Sequence, residues 1–177
     1  LRDLLYGLML RSGNDAAVAI AEYISGDVDS FAALMNQEAA AMGATRSHFV
    51  NPNGLPDENH YTCVYDMYLI FSNAIKNDTF VSIIGTTSYD VTYTDASGEA
   101  VTHTWENTNQ YLTGNATTPD GFQIVGGKTG TTGEAGYCLV LYSYNPSGQP
   151  IISIVFKADG KSNLYLLMNE MLQGFAI

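Results

Sequence analysis

Two short strings hold the side chains best suited to chemistry. The first is Lys128-Thr129-Gly130, inside the run Ile124 to Gly133 and followed by the strand-like segment from Gly136 to Tyr144. Glycines on both sides remove Cβ atoms and would let a ligand's backbone come close. Lys128 then offers a point charge and Thr129 a hydroxyl, a pair that suits a carboxylate. The second string is Ser12-Gly13-Asn14, set between two helical segments. A serine beside an asparagine, held by helix ends, can relay a proton and hydrogen-bond an amide. Each string alone is common, and a glycine- and threonine-rich run with one lysine is often a plain turn.

The elements that must position these residues follow from periodicity. Leu1, Leu4, Leu5, Leu8 and Met9 recur at helical spacing. Turn formers from Arg11 to Asp15 interrupt them, and a second, alanine-rich helix is expected over Ala16 to Ile24. Asp27 or Asp29 caps a third, which runs to Met42 with Gly43 beyond its end. Thr45 to Tyr61 reads as irregular and holds His48 and His60 in structural roles. A fourth helix spans Val64 to Lys76. Its cap is Thr62 or Cys63, and with Cys63 the acid of a capping box would be Asp66. From Ser88 the period falls to two, which predicts a hairpin turning at Asp95-Ala96-Ser97-Gly98, with His103 on its second strand. Strands around Lys128, over Tyr137 to Tyr144 and over Ile151 to Ala158 come next, and their apolar runs imply a sheet covered on both faces. An amphipathic helix is expected from Ser162 to Phe175. The layout is α+β: a helical part over residues 1–80, a hairpin over 88–105, and an antiparallel sheet with its helix over 122–177.

Composition narrows the partners. The 177 residues suit one domain with an ordinary core, at 46% apolar residues. Eighteen acidic against seven basic side chains give a net charge of −11, which argues against nucleic acid and anionic membranes as partners. Cys63 and Cys138 stand far apart with no Cys/His cluster, so metal and redox motifs fail, and their disulfide state stays open. The chain opens on Leu1 in helical rhythm with no start methionine, like an excised fragment.

Taken in order, the two strings resemble the second and third motifs of the active-site-serine penicillin-binding superfamily, whose pattern is S-x-x-K, S-D-N and K-T-G. The text between them narrows the likeness to the D-alanyl-D-alanine carboxypeptidases of peptidase family S11. Leu10 to Ala17, Met35-Asn36, His48 to Leu55, His60-Tyr61, Asn107-Thr108-Asn109 and Ala135 to Leu139 all carry it. Glycine at position 13 favours this family over the class A β-lactamases. The resemblance implies the penicillin-binding/β-lactamase-like transpeptidase fold, an antiparallel sheet with a helical subdomain. It implies removal of the terminal D-alanine from peptidoglycan stem peptides outside the cytoplasmic membrane, acylation by β-lactams, and no cofactor or metal.

By the same resemblance, Ser12 relays a proton and Asn14 holds the substrate amide and the catalytic lysine. Lys128, Thr129 and Gly130 bind the terminal carboxylate, and the Thr131 N–H supplies half of the oxyanion hole. The first motif is missing. The residues three positions before Lys76, Lys128, Lys157 and Lys161 are Asn73, Val125, Ile154 and Ala158, none of them serine. The resemblance puts that motif upstream of Leu1, so the nucleophile, its helix and the early strands are expected to be absent here. The alternative is a degenerate module that binds peptidoglycan peptides or β-lactams without turnover. Surfaces left open by truncation would invite self-association.

Overall fold

The computed structural model describes residues 1–174. Five helices come first: α1 Arg2–Arg11, α2 Asn14–Ser25, α3 Val28–Ala41, α4 Val64–Ala74 and α5 Asp78–Ile84. Strands β1 Ser88–Thr94 and β2 Ala100–Glu106 form an antiparallel hairpin. Strands β3 Gln123–Thr132, β4 Gly136–Tyr144 and β5 Pro150–Ala158 form an antiparallel sheet in the order β3-β4-β5, and α6 Lys161–Gly174 follows. This is the expected α+β arrangement. Phe175, placed in the final helix by periodicity, lies outside the described residues, as do residues 176–177.

The sheet is covered on both faces because β4 and β5 alternate two apolar sets. Leu139, Leu141 and Val155 pack with Leu164, Tyr165, Met168 and Leu172 of α6. Val140, Ile152, Ile154 and Phe156 turn the other way, against Phe71 of α4 and Ile84 of α5. Leu139, Leu141, Met168 and Leu172 are fully buried, and each such side chain contributes roughly 1.5–3 kcal/mol over its exposed state. The hairpin rests on α1 through a stack of Tyr6 on Tyr89, with centroids 3.8 Å apart. Trp105 fits there because Gly7 has no side chain: a Cβ would stand 3.2 Å from the indole.

Several boundaries differ from the periodicity. Helix α2 begins at Asn14, two residues early, because Gly13 takes the extended cap conformation. Helix α4 ends at Ala74 rather than Lys76, since Asn77 caps a further helix, α5, that apolar spacing did not announce. Asn77 accepts from the N–H groups of Thr79 and Phe80 at 2.9 and 3.2 Å. Asp27, not Asp29, caps α3, accepting from Ser30 N–H at 2.7 Å.

Cys63 is the cap of α4, but no capping box forms. Asp66 instead accepts from Arg46 N–H at 2.6 Å and Ser47 Oγ at 2.8 Å, tying the irregular segment to α4. The same segment is closed by the bridge between His48 and Tyr61 and by His60, whose Nδ1 accepts from Val50 N–H at 3.2 Å. Burial lowers the His60 pKa. His103 stacks on Tyr93 in the hairpin. Among the described residues no helix is long and apolar enough to cross a membrane.

Candidate functional site

The turn between α1 and α2 sets the first wall. Ser12 closes α1 in the left-handed conformation, φ 56° and ψ 44°. A non-glycine residue there costs on the order of 1–3 kcal/mol, and such strain clusters at functional positions. Gly13 then donates to Gly7 O at 3.2 Å, which folds the turn back on α1. A Cβ at Gly13 would meet Asp15 Oδ1 at 3.1 Å and Ala16 Cβ at 3.3 Å, so a small residue suits this place. Asn14 stands exposed at the head of α2, its side chain free of hydrogen bonds among the described residues.

Strand β3, at the edge of the sheet, is the second wall. Lys128, Thr129, Gly130 and Thr131 lie opposite Val140, Leu139, Cys138 and Tyr137 of β4. The glycines of this run divide by purpose, which corrects the expectation that all admit a ligand. A Cβ at Gly126 would fall 2.7 Å from the Ile84 carbonyl, and one at Gly127 only 2.3 Å from Val140 O. Those two let α5 and β4 come close. Gly130 is open, with no atom nearer than Cys138 Cβ at 4.0 Å.

The structure brings the two strings together. The Lys128 ammonium donates to Ser12 Oγ and also to Thr129 O, the latter at 2.6 Å. Lys128 is half-buried, and desolvation lowers its pKa from 10.5 to about 8. Two of its three N–H groups are thus engaged within the protein, leaving one to face a ligand. The Thr129 hydroxyl shares a 2.6 Å hydrogen bond with that of Thr108.

Thr108 is held by its neighbours. Buried Asn107 donates to Thr86 O at 2.9 Å and accepts from Asn109 N–H at 2.9 Å. Gln110 N–H donates to the Tyr165 hydroxyl at 2.7 Å. The loop after β2 therefore positions the Thr108 hydroxyl against that of Thr129.

Ser12, Thr108, Thr129, Gly130 and Thr131 line one cavity of about 260 Å³, joined by Lys161. Lys161 was not among the residues singled out by motif. It is the first residue of α6, whose first turn holds no acid. A cation at the positive end of a helix dipole is misplaced for helix stability, and that misplacement is the signal in the sequence. The cavity thus holds one of the seven basic residues of an acidic chain, beside the Ser12 hydroxyl to which Lys128 donates. Among the described residues no group of three or more His, Cys, Asp or Glu could hold a metal. Cys63 and Cys138 are both free thiols.

Comparison with known proteins gives this geometry a family. The sequence profile of the D-alanyl-D-alanine carboxypeptidase family Peptidase_S11 matches residues 1–160. The chain is 34% identical to the D-alanyl-D-alanine carboxypeptidase DacF of Bacillus subtilis, over 97% of this chain and 41% of that protein. It is 35% identical to the D-alanyl-D-alanine carboxypeptidase of Streptomyces sp. (strain K15), over 99% of this chain and 61% of that one. A solved mutant of the DD-transpeptidase from that Streptomyces superimposes with a TM-score of 0.89 at 33% identity, covering 99% of this chain and 68% of that one. The chain thus spans between two fifths and about two thirds of the length of these three relatives. With its Ser12–Lys128 contact in place and its sequence matched from Leu1 to Gly160, the chain belongs to the D-alanyl-D-alanine carboxypeptidase family, peptidase S11.

Proposed function

We propose that the protein carrying these residues is a serine-type D-Ala-D-Ala carboxypeptidase that trims peptidoglycan stem peptides by acyl transfer. The observation that carries this is the hydrogen bond from Lys128 to Ser12, which joins the two motif strings into one wall. The peptide's terminal carboxylate sits against the hydroxyls of Thr129 and Thr131, with Lys161 and the remaining Lys128 N–H supplying charge. The Thr131 N–H faces the carbonyl oxygen that becomes an oxyanion. A serine of the S-x-x-K type attacks the carbonyl of the penultimate D-alanine, and the C–N bond to the last D-alanine breaks. Ser12 hands a proton to the departing amine, and Lys128 keeps the Ser12 hydroxyl oriented for that transfer. Asn14 holds the substrate amide. Water then releases the acyl group, restoring the serine. β-Lactams enter the same site as acylating mimics, and such a substrate belongs outside the cytoplasmic membrane.

The second reading is a module that binds stem peptides or β-lactams without turnover. No serine stands three positions before any lysine in the 177 residues, so these residues by themselves supply no activated nucleophile. In the isolated chain the outer edge of β5, unpaired among the described residues, is the surface through which copies associate.

The experiment is release of D-alanine from diacetyl-L-Lys-D-Ala-D-Ala by the protein that carries the chain, beside labelling by a fluorescent penicillin. Release and a labelled band are expected, with Ser12→Ala lowering kcat/KM by about 10²–10⁴. Peptide binding with neither release nor label leaves only the binding module. For residues 1–177 alone no covalent label is expected.

A further inference from the structure

The hydroxyls of Thr108 and Thr129 lie 2.6 Å apart, and neither has another hydrogen-bond partner among the described residues. Both threonines are half-buried and line the cavity that also holds Gly130 and Lys161. We propose that Thr108 is a positioning residue: it donates to Thr129 and so turns the one Thr129 proton outward, onto a ligand carboxylate. The proposal rests on the carboxylate site described above, since that site supplies the acceptor for this proton.

A hydroxyl holds one donor and two acceptor lone pairs. The pair therefore has two protons and one internal hydrogen bond, which leaves a single proton for the cavity. That proton belongs to Thr108 if Thr129 donates, and to Thr129 if Thr108 donates. An anion seated against Thr129 selects the second arrangement. The bond from Thr108 then polarises the Thr129 O–H and strengthens its donation, since linked hydrogen bonds reinforce one another. It also fills one Thr129 lone pair, which leaves less acceptor capacity for an amide N–H. The pair so favours a carboxylate over the matching amide.

Thr108 is placed for this by the backbone on both sides. Asn107 N–H donates to Thr87 O at 2.8 Å, and its side-chain amide donates to Thr86 O at 2.9 Å. Asn109 is fully buried, and its N–H donates back to Asn107 Oδ1 at 2.9 Å. Thr129 is held from its own side. Its carbonyl accepts from the Lys128 ammonium at 2.6 Å, and it pairs with Leu139 of β4. Neither oxygen has to be ordered when the ligand arrives, so the donor is aimed in advance.

Calorimetric titration of residues 1–177 with Nα-acetyl-Lys-D-Ala-D-Ala and its C-terminal amide tests this, in native, Thr108→Val and Thr108→Ser forms. Valine keeps the shape and removes the hydroxyl, whereas serine keeps the hydroxyl. Thr108→Val is expected to weaken binding of the acid about three- to tenfold, the scale of one hydrogen bond, and not to weaken the amide. Thr108→Ser is expected to stay within about twofold of native for both. In a Thr129→Val background, Thr108→Val is expected to add nothing, because its effect passes through the Thr129 hydroxyl. Native-like acid binding by Thr108→Val overturns the proposal and leaves the carboxylate site standing. Equal loss for acid and amide, or a loss in Thr108→Ser, overturns it in favour of a packing role for the β2–β3 loop. A loss that persists beside Thr129→Val overturns it in favour of direct contact between Thr108 and the ligand. Equal native affinity for acid and amide, or binding of neither, removes the carboxylate site itself, and this proposal with it.

Discussion

Lys128 leaves the edge of β3 to hydrogen-bond Ser12, a residue 116 positions earlier in the chain. The contact joins a strained helix–helix turn to a sheet strand, so each fixes the other's side chain. Its second bond, back to Thr129 O, keeps the lysine side chain folded along the strand. The ammonium is thus a fixed charge held between Ser12 and Thr129, two residues that line the cavity.

That charge is pH-sensitive near neutrality. Desolvation lowers the Lys128 pKa from 10.5 to about 8. Below about 8 the folded state carries a partly desolvated ammonium whose cost the unfolded chain does not bear. Between about 8 and 10.5 the unfolded chain binds more protons, so stability relative to Lys128→Met rises with pH across that window. Affinity for a peptide carboxylate moves oppositely, falling with a midpoint near 8 as the charge is lost. Thermal melts and titrations of both proteins from pH 6 to 10 check the two signs.

The glycines around Lys128 separate folding from binding. Gly127→Ala forces a Cβ to 2.3 Å from Val140 O and is expected to destabilise by about 1–3 kcal/mol or more. Gly130→Ala meets nothing closer than 4.0 Å and is expected to change stability by less than about 0.5 kcal/mol. Its new methyl would stand in the proposed path of the peptide, so binding is expected to weaken. Urea unfolding and peptide titration of both variants read the contrast.

Asp66 anchors the irregular segment in the same measurable way. Burial pushes its carboxyl up, but the Ser47 hydroxyl and the Arg46 N–H, with the Cys63 thiol, outweigh this and hold it below the usual value of 3.8. A depressed pKa means the stabilisation is complete above about 3.8 and is lost as pH falls through the lower, folded value. Asp66→Asn is expected to melt lower than the native chain at pH 7 and to approach it toward pH 2. Parallel curves across that range would remove Asp66 as a charged anchor.

Much of this fold was legible because its signals are local. The helically spaced leucines of α1, the alternation in β1 and β2, and the turn at Asp95 to Gly98 each announce an element within a few residues. Helix α5 was not, since seven residues are too few for an apolar period and only its cap at Asn77 marks it. The motifs singled out Ser12, Asn14, Lys128, Thr129, Gly130 and Thr131, of which Ser12, Thr129, Gly130 and Thr131 line one cavity and Lys128 hydrogen-bonds Ser12. Thr108 and Lys161 enter the cavity only through the long-range packing of the β2–β3 loop and α6, and no spacing along the chain encodes that juxtaposition. The purpose of Gly126 and Gly127 was equally hidden, because the backbones they admit belong to α5 and β4.

The central claim, that the wall built by Ser12, Lys128 and Thr129 holds a peptide's terminal carboxylate, is tested most directly by one titration. Residues 1–177 are titrated with Nα-acetyl-Lys-D-Ala-D-Ala and with its C-terminal amide, in native and Lys128→Ala forms. The free acid is expected to bind the native chain about thirtyfold more tightly than it binds the variant, the equivalent of about 2 kcal/mol for a charge-assisted contact. The amide is expected to bind both forms weakly and alike. Equal affinity for acid and amide in the native chain would contradict the account.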